Sequence, residues 1–419
     1  MHKEIKKLTR SIFLVISIIT LALVILLWFF THSFMNMQIV PKNSSISIDG
    51  KMFKTESGLI RKFIAPGLHT IKVEADSYIG LSQEINFKRG LPKKIIVNLA
   101  QTPEPLVVSS DGQFLSKGND FNDVYYQSGT TIFRVRVKTD INKGLKLAEE
   151  RAVTNPVISD INEIIWSPAK DATLLRKPDM ISFFDLKKYD FINQNEDSWG
   201  EDIGSIAWSP DNSKIAYYYA PQDGEKSLIF ANSGNQEINR VFNFNDNGID
   251  NPLLRWSPDS EWLLIIPRNA DTEKNKIYLF NSYSHQISEI ADTGNQLDAD
   301  FSPDGNKILY STYSKDQKGA VNSILSIMDK DGSNKRSLDV RAELRKTTWS
   351  KDSENIVVAT YDPDTEQESI YKFNTKTKQQ NGFIIKNLGD IFIKNIVLTD
   401  DNNIIIFQDA QGIRAINVE

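Results

Sequence analysis

Apolar residues in this chain fall mostly in short runs of four to six, many of them alternating with polar ones, and Pro, Asp, Asn or Gly clusters separate the runs. Alternation at period two with closely spaced turn residues predicts β-strands, and no long stretch carries the 3.6-residue period of amphipathic helices. The expected fold class is therefore all-β. One segment differs: residues 11–34 are almost wholly apolar and contain no Asp, Glu, Lys or Arg. About twenty such residues span a bilayer core, so this segment is expected to be a transmembrane helix.

The strand pattern repeats. IIWSPAKDATLL begins at Ile164, IAWSPDNSKIAYYYA at Ile206, LRWSPDSEWLLI at Leu254, ADFSPDGNKILY at Ala299, TTWSKDSENIVV at Thr347 and IVLTDDNNIIIF at Ile396. The anchors Trp166, Trp208, Trp256, Phe301, Trp349 and Leu398 stand 42 to 49 residues apart, a spacing that with strand-like content points to four-stranded propeller blades. Pro168, Pro210, Pro258 and Pro303 preset φ at the second turn position, and in Ser302-Pro303-Asp304-Gly305 the serine can bond back to the backbone. Residues 101–419 at about 46 residues per unit give seven blades. The first, over residues 113–150, lacks the Pro turn, and the last shows only three strands, so Pro105 to Ser109 is expected to supply its fourth and leave no open sheet edge. The Trp, Pro and Asp residues of the repeat are read as packing and turn residues rather than as a ligand platform.

These motifs resemble the TolB-like and related Trp-Asp-type propeller repeats, in which an aromatic-Ser-Pro-Asp-Gly turn leads into a strand and a later Asp-Gly hairpin. The resemblance covers residues 101–419 and implies a fold, not an activity. Three copies depart from it: Ala169 and Lys170 replace Asp-Gly in the first, Lys351 replaces Pro in the fifth, and the last lacks both Trp and Pro.

Between membrane segment and repeats the pattern changes. SISIDGKMF turns at Asp49-Gly50, IAPGLHTIKVEA turns at Pro66-Gly67, and QEINFKRGLPKKIIVNL gives a third pairing, so residues 36–100 are expected to form a small antiparallel β-sandwich. Asp49-Gly50, Pro66-Gly67-Leu68-His69, Ser77-Tyr78 and Val97-Asn98-Leu99 resemble the PEGA domain of prokaryotic envelope proteins, although the usual Gly-x-Thr-Pro segment is replaced by TESGLIRKF. That resemblance implies a spacer or binding module and brings no catalytic residue. QTPEP, with residues 101–104, is the expected linker, and the propeller takes 105–419.

Charge sets the orientation. Lys3, Lys6, Lys7 and Arg10 against Glu4 make residues 1–10 a basic tail expected in the cytoplasm, with residues 36–419 outside it. The apolar run exceeds the core of a cleaved signal peptide, and THSFMNMQ has no small-x-small cleavage site, so an uncleaved anchor holding the lipid bilayer through residues 11–34 is expected. Without cysteine there are no disulfides, thiolate metal sites or N-terminal lipidated Cys.

Chemistry is sparse. Four histidines, two beside the membrane segment, leave His69 and His285 for the exterior, too few for a multi-histidine metal centre. Neither a Gly-x-Ser-x-Gly elbow nor a glycine-rich phosphate loop occurs. Asp246 to Asp250 and Asp362 to Glu366 offer oxygen ligands but lack the spacing of a twelve-residue calcium loop. No catalytic residue, metal or cofactor is assigned. A net charge of −5 argues against a nucleic-acid partner, and RGLPKK, Arg89 to Lys94, reads as a solvated turn that an anionic envelope polymer could touch. The expected function is a membrane-tethered binding scaffold for an envelope protein or cell-wall polysaccharide. The alternative is a carbohydrate-active hydrolase or lyase using carboxylates at the propeller channel.

Overall fold

A computed structural model describes residues 16–21, 31–55, 57–76, 78, 80–99, 101, 104–120, 122–140, 144–155, 158–177, 186–268, 275–294, 298–315, 321–362, 366–377, 379–385, 388 and 391–418. The chain divides into two compact units, one holding the N-terminal residues to Thr102 and one holding most of the chain from Pro103 onward. Most of the expected transmembrane helix lies outside the described residues. Among the described residues no helix is long and apolar enough to cross a membrane.

The N-terminal unit packs two sheets over one core. Leu59–Ile64, Ser33–Val40 and Lys93–Asn98 form a three-stranded sheet in that order; Lys51–Phe53, Ser45–Ile48, Gly67–Glu74 and Leu81–Phe87 form a four-stranded one. Alternation does the work: Met35, Met37 and Ile39 point inward from the central strand and meet Ile46, Ile71, Val73 and Phe87 of the other sheet. Fully burying such a side chain stabilises by about 1.5–3 kcal/mol. Asp49 and Gly50, at φ of 50° and 80°, make the two-residue hairpin turn. Pro66 and Gly67 instead carry the chain from one sheet to the other, so this pair forms a corner and not a hairpin.

Three boundary expectations are corrected. The expected antiparallel sandwich is mixed, because Ser33–Val40 runs parallel to Lys93–Asn98. The intervening chain crosses to the second sheet and returns, which brings the closing strand back in the direction of the first. The unit also begins at Ser33, so residues 33 and 34 belong to a strand rather than to the apolar helix; Ser33 is fully buried and donates its Oγ hydrogen to Leu91 O at 2.6 Å. Gln101, expected in the linker, forms a bridge with Tyr78.

The second unit contains, among the described residues, seven four-stranded antiparallel sheets in chain order. Sheet I is Gln113–Lys117, Asp123–Ser128, Thr131–Asp140 and Gly144–Ala152, the expected degenerate copy. Sheets II to VII open with Glu163–Trp166, Ile203–Trp208, Leu253–Trp256, Asp298–Phe301, Thr347–Trp349 and Asn395–Leu398. These opening strands lie against one another from I to II, II to III, III to IV, IV to V and VI to VII, and that of VII lies against that of I. They therefore surround a common axis, the arrangement of a β-propeller.

Ring closure follows the sequence expectation. Leu106–Ser109 pairs antiparallel with Gly412–Asn417 and completes sheet VII. Val108, Leu115, Val124 and Tyr126 from the start of the ring then share one apolar layer with Ile404, Ile406, Ile413 and Ala415 from its end. Gly412 must be glycine: at φ 130° a Cβ would stand 2.1 Å from Ser109 O. Other apolar layers join sheets I with II, II with III, III with IV and IV with V.

Candidate functional site

Each repeat turn is closed by a hydroxyl that bonds in two directions. Ser302 Oγ donates to Asp304 Oδ1 at 2.5 Å and accepts the Lys307 N–H at 3.0 Å. Ser209 does the same with Asp211 at 2.6 Å and Lys214 at 2.9 Å, as does Thr399 with Asp401 and Ile404. The fourth turn residue adopts the left-handed conformation in each of these copies: Lys170 at φ 57°, Asn212 at 62°, Ser260 at 59°, Gly305 at 71°, Ser353 at 60° and Asn402 at 62°. In the first copy, where Asp is missing from the third position, Asp171 two places on accepts the Ser167 hydroxyl at 2.8 Å. In the last, the expected Trp and Pro are absent while Thr399 and Asp401 keep the clasp.

Neighbouring turns are tied together. The Asp211 N–H donates to Ser260 Oγ and the Asp304 N–H to Ser353 Oγ, both at 3.0 Å, and the Lys351 N–H reaches Asn402 Oδ1 at 3.3 Å. Pro168 is half-buried, Pro210, Pro258 and Pro303 are exposed, and the space where a Gly305 Cβ would sit is 3.5 Å from the Pro258 ring. The anchors Trp208, Trp256, Phe301 and Leu398 are buried. The Trp256 indole N–H donates to Ala207 O of the preceding sheet at 3.0 Å. Trp349 is only half-buried, and so is Trp166, which packs against Tyr125 and Phe191. The Ser, Thr and Asp side chains of the repeat turns are thus engaged in turn and inter-turn bonds, whereas the buried indole N–H groups of Trp208 and Trp349 have no hydrogen-bond partner among the described residues.

Sequence reasoning missed a second set of residues, those one place before each anchor. In sheets III, IV, V and VII the anchor and the residue two before it are buried, whereas the residue one before the anchor is not. At this place Ala207, Arg255 and Val397, like Ile165 and Thr348 of II and VI, are half-buried, and Asp300 is exposed. Alternation turns them to the sheet face opposite the anchor, and Ile165, Ala207 and Val397 pack against the apolar layers between sheets. Among the described residues the charged members of this set are Arg255 of IV and Asp300 of V, with Asp298 on the same strand as Asp300.

Asp300 is exposed, yet protein is packed closely around its carboxyl. That enclosure pushes its carboxyl above the usual carboxylate range; the Arg255 charge and the Phe301 N–H, 2.9 Å from Oδ1, oppose the rise and the Asp298 charge adds to it. Asp298 Oδ1 is buried and has no hydrogen-bond partner among the described residues.

Other charged groups serve the framework. Glu368, fully buried, forms an ion pair with Lys346 and accepts the Ile393 N–H at 2.6 Å. Asp123, 2% exposed, is held by Arg134 and Arg136. Lys170 stands apart: its Nζ donates to Ser116 Oγ at 3.0 Å and lies 5.1 Å from the centre of the Trp166 ring, and burial lowers its pKa to about 8. His69 bonds Asp49 Oδ2 at 2.6 Å and Ala65 O at 3.0 Å, and His285 stacks on Phe280. Among the described residues no group of three or more His, Cys, Asp or Glu is placed to hold a metal ion. Of the two sequence clusters, Asp246 to Asp250 spans a short 3-10 turn, whose Asp250 instead bonds Lys226 and Tyr218; residues 363–365 of the other lie outside the described residues.

No protein-family model matches the chain, nor does the sequence of any curated protein. Solved structures do match. A mitotic checkpoint complex structure is similar at TM-score 0.51 and 11% identity over 76% of this chain and 94% of the other. The hydrazine synthase of Kuenenia stuttgartiensis is similar at TM-score 0.50 and 12% identity over 72% and 94%. A putative TolB from Agrobacterium tumefaciens gives a looser match, TM-score 0.40 and 15% identity over 56% and 83%. At these identities the likeness is one of fold, and the chain is a β-propeller protein whose chemistry has to be read from its own residues.

Proposed function

We propose that this chain is a membrane-tethered, extracytoplasmic binding scaffold: a basic tail (1–10), a transmembrane anchor, a PEGA-like β module serving as spacer, and a TolB-like propeller (105–419) that binds an envelope protein or a cell-wall polymer. The residues one place before the anchors carry this reading: one Arg and one Asp stand among Ala, Val, Ile and Thr, a set suited to contact rather than to proton transfer, while the Ser, Thr and Asp side chains of the repeat turns are engaged in the frame. A rigid ring with many independent loops suits recognition; that part is an argument from fold. Replacing Ala207 or Thr348 by a photo-crosslinking residue in the full-length chain tests it: one dominant adduct supports a specific partner, and a diffuse ladder equal to that from an exposed control such as Ser284 counts against one.

A second reading, a carbohydrate-active hydrolase or lyase, draws on Asp300, whose raised pKa is what a general acid needs, although the Arg255 charge works against that rise. Its test is release of sugars from purified envelope by the wild type and not by Asp300→Asn.

A further inference from the structure

Four cations lie within seven residues of one loop of the N-terminal unit: Lys88, Arg89, Lys93 and Lys94. The loop joins Leu81–Phe87 to Lys93–Asn98, and its place is fixed by two bonds to the point where the apolar N-terminal segment ends. The Gly90 N–H donates to His32 O at 3.1 Å, and Ser33 Oγ donates to Leu91 O at 2.6 Å. At the loop's centre Leu91 is 57% exposed, and on the strand leaving it Ile96 is equally exposed. Arg61 and Lys94 flank Asn36 across the three-stranded sheet, adding a further cation to the same face. Lys93 is turned inward, donating to Asn86 O at 2.8 Å, while Lys88, Arg89 and Lys94 are exposed. No acidic residue occurs between Ile85 and Gln101, and among the described residues the acids of this unit, Asp49, Glu74, Asp76 and Glu84, lie on or beside the four-stranded sheet.

We propose that this loop, through Lys88, Arg89, Lys94 and Leu91, binds the anionic phospholipid headgroups of the bilayer that the apolar segment enters. The inference rests on the membrane-anchor reading above. A segment that leaves the bilayer just before His32 holds the loop at headgroup level. There three exposed cations gain from negative lipids and one exposed leucine can enter the acyl boundary. The loop then orients the unit on the surface instead of leaving it free to pivot on its anchor.

The experiment uses the full-length chain in nanodiscs of phosphatidylcholine alone or mixed with phosphatidylglycerol. Acetylation of each lysine is followed by mass spectrometry, with Lys51 and Lys72 on the other sheet as internal controls. Each surface cation is worth about fivefold in partition to an anionic bilayer. Lys88 and Lys94 are expected to react about fivefold more slowly in the anionic discs, with the difference lost at high salt and the controls unchanged. Equal rates in both lipids overturn the proposal, as does equal slowing in both, which would be simple crowding by the bilayer. Slowing by soluble polyphosphate without lipid overturns it in favour of a polymer site. Failure of the chain to enter either disc overturns the anchor reading and the proposal together, and is recognised before any lysine is scored.

Discussion

Removing one hydroxyl, in Ser302→Ala, tests the clasp that the repeat encodes. Ser302 is fully buried, so its Oγ is not readily replaced by water. The variant leaves the Lys307 N–H without its Oγ acceptor, and an unmet buried donor costs about 1–3 kcal/mol. It also removes the charge-assisted bond to Asp304; that carboxylate is exposed, so the loss is discounted to about 0.5–1 kcal/mol. The expected destabilisation is about 1.5–4 kcal/mol, measured by urea unfolding of the detergent-solubilised chain followed by tryptophan fluorescence. Ser284→Ala, at an exposed loop, should stay within about 0.5 kcal/mol of the wild type. In the double variant Ser302→Ala/Asp304→Ala the two losses should fall short of their sum, since both remove the same bond. A Ser302→Ala value no larger than that of the control, or strict additivity with Asp304→Ala, would refute the reasoning.

Further outcomes follow from the same geometry. Glu368→Gln should destabilise by about 3–5 kcal/mol because it strands the Lys346 ammonium, whereas Glu368→Leu with Lys346→Met should cost less, both read by urea unfolding. The turn carboxylates Asp211, Asp304, Asp352 and Asp401 lie below the ordinary carboxylate range. For Asp352 the Ser350 hydroxyl leads; for the others burial pushes upward and hydroxyl and backbone donors outweigh it. A depressed folded value means stability that is present above the unfolded pKa near 3.8 and is lost as pH falls through the folded values, so thermal stability should drop below about pH 4 and less steeply in Asp304→Asn. Asp300 has the opposite sign, a raised value whose ionised form is disfavoured in the fold, so Asp300→Asn should match or exceed wild-type stability at about pH 7 in the same melt. Acetylation of Lys170 should show a midpoint near pH 8, well below the exposed lysines, in a mass-spectrometric pH series.

The repeat was legible because its parts are local. An aromatic anchor, a Ser and a carboxylate within a few residues set a turn whose bonds run inside a six-residue window, and the period then counts the blades. Closure by Leu106–Ser109 was legible by elimination, since a three-stranded last sheet needed a partner. The clasp of the first copy was less so: Ala169 stands where the carboxylate is expected, and Asp171, two places later, breaks the written motif yet keeps the bond. Arg255 and Asp300 carried no signal: they occupy the variable place beside the anchor, and only the ring brings the opening strands of IV and V together. The parallel pairing of Ser33–Val40 with Lys93–Asn98 depends on which sheet each strand joins, which alternation alone does not specify.

The central claim is that the propeller is a recognition module for one envelope component. Tagged full-length protein crosslinked in intact cells and extracted in detergent, beside a chain lacking residues 105–419, tests it most directly. The account predicts one stoichiometric protein or wall polymer retained by the full chain and lost with the propeller; the same background in both would contradict it.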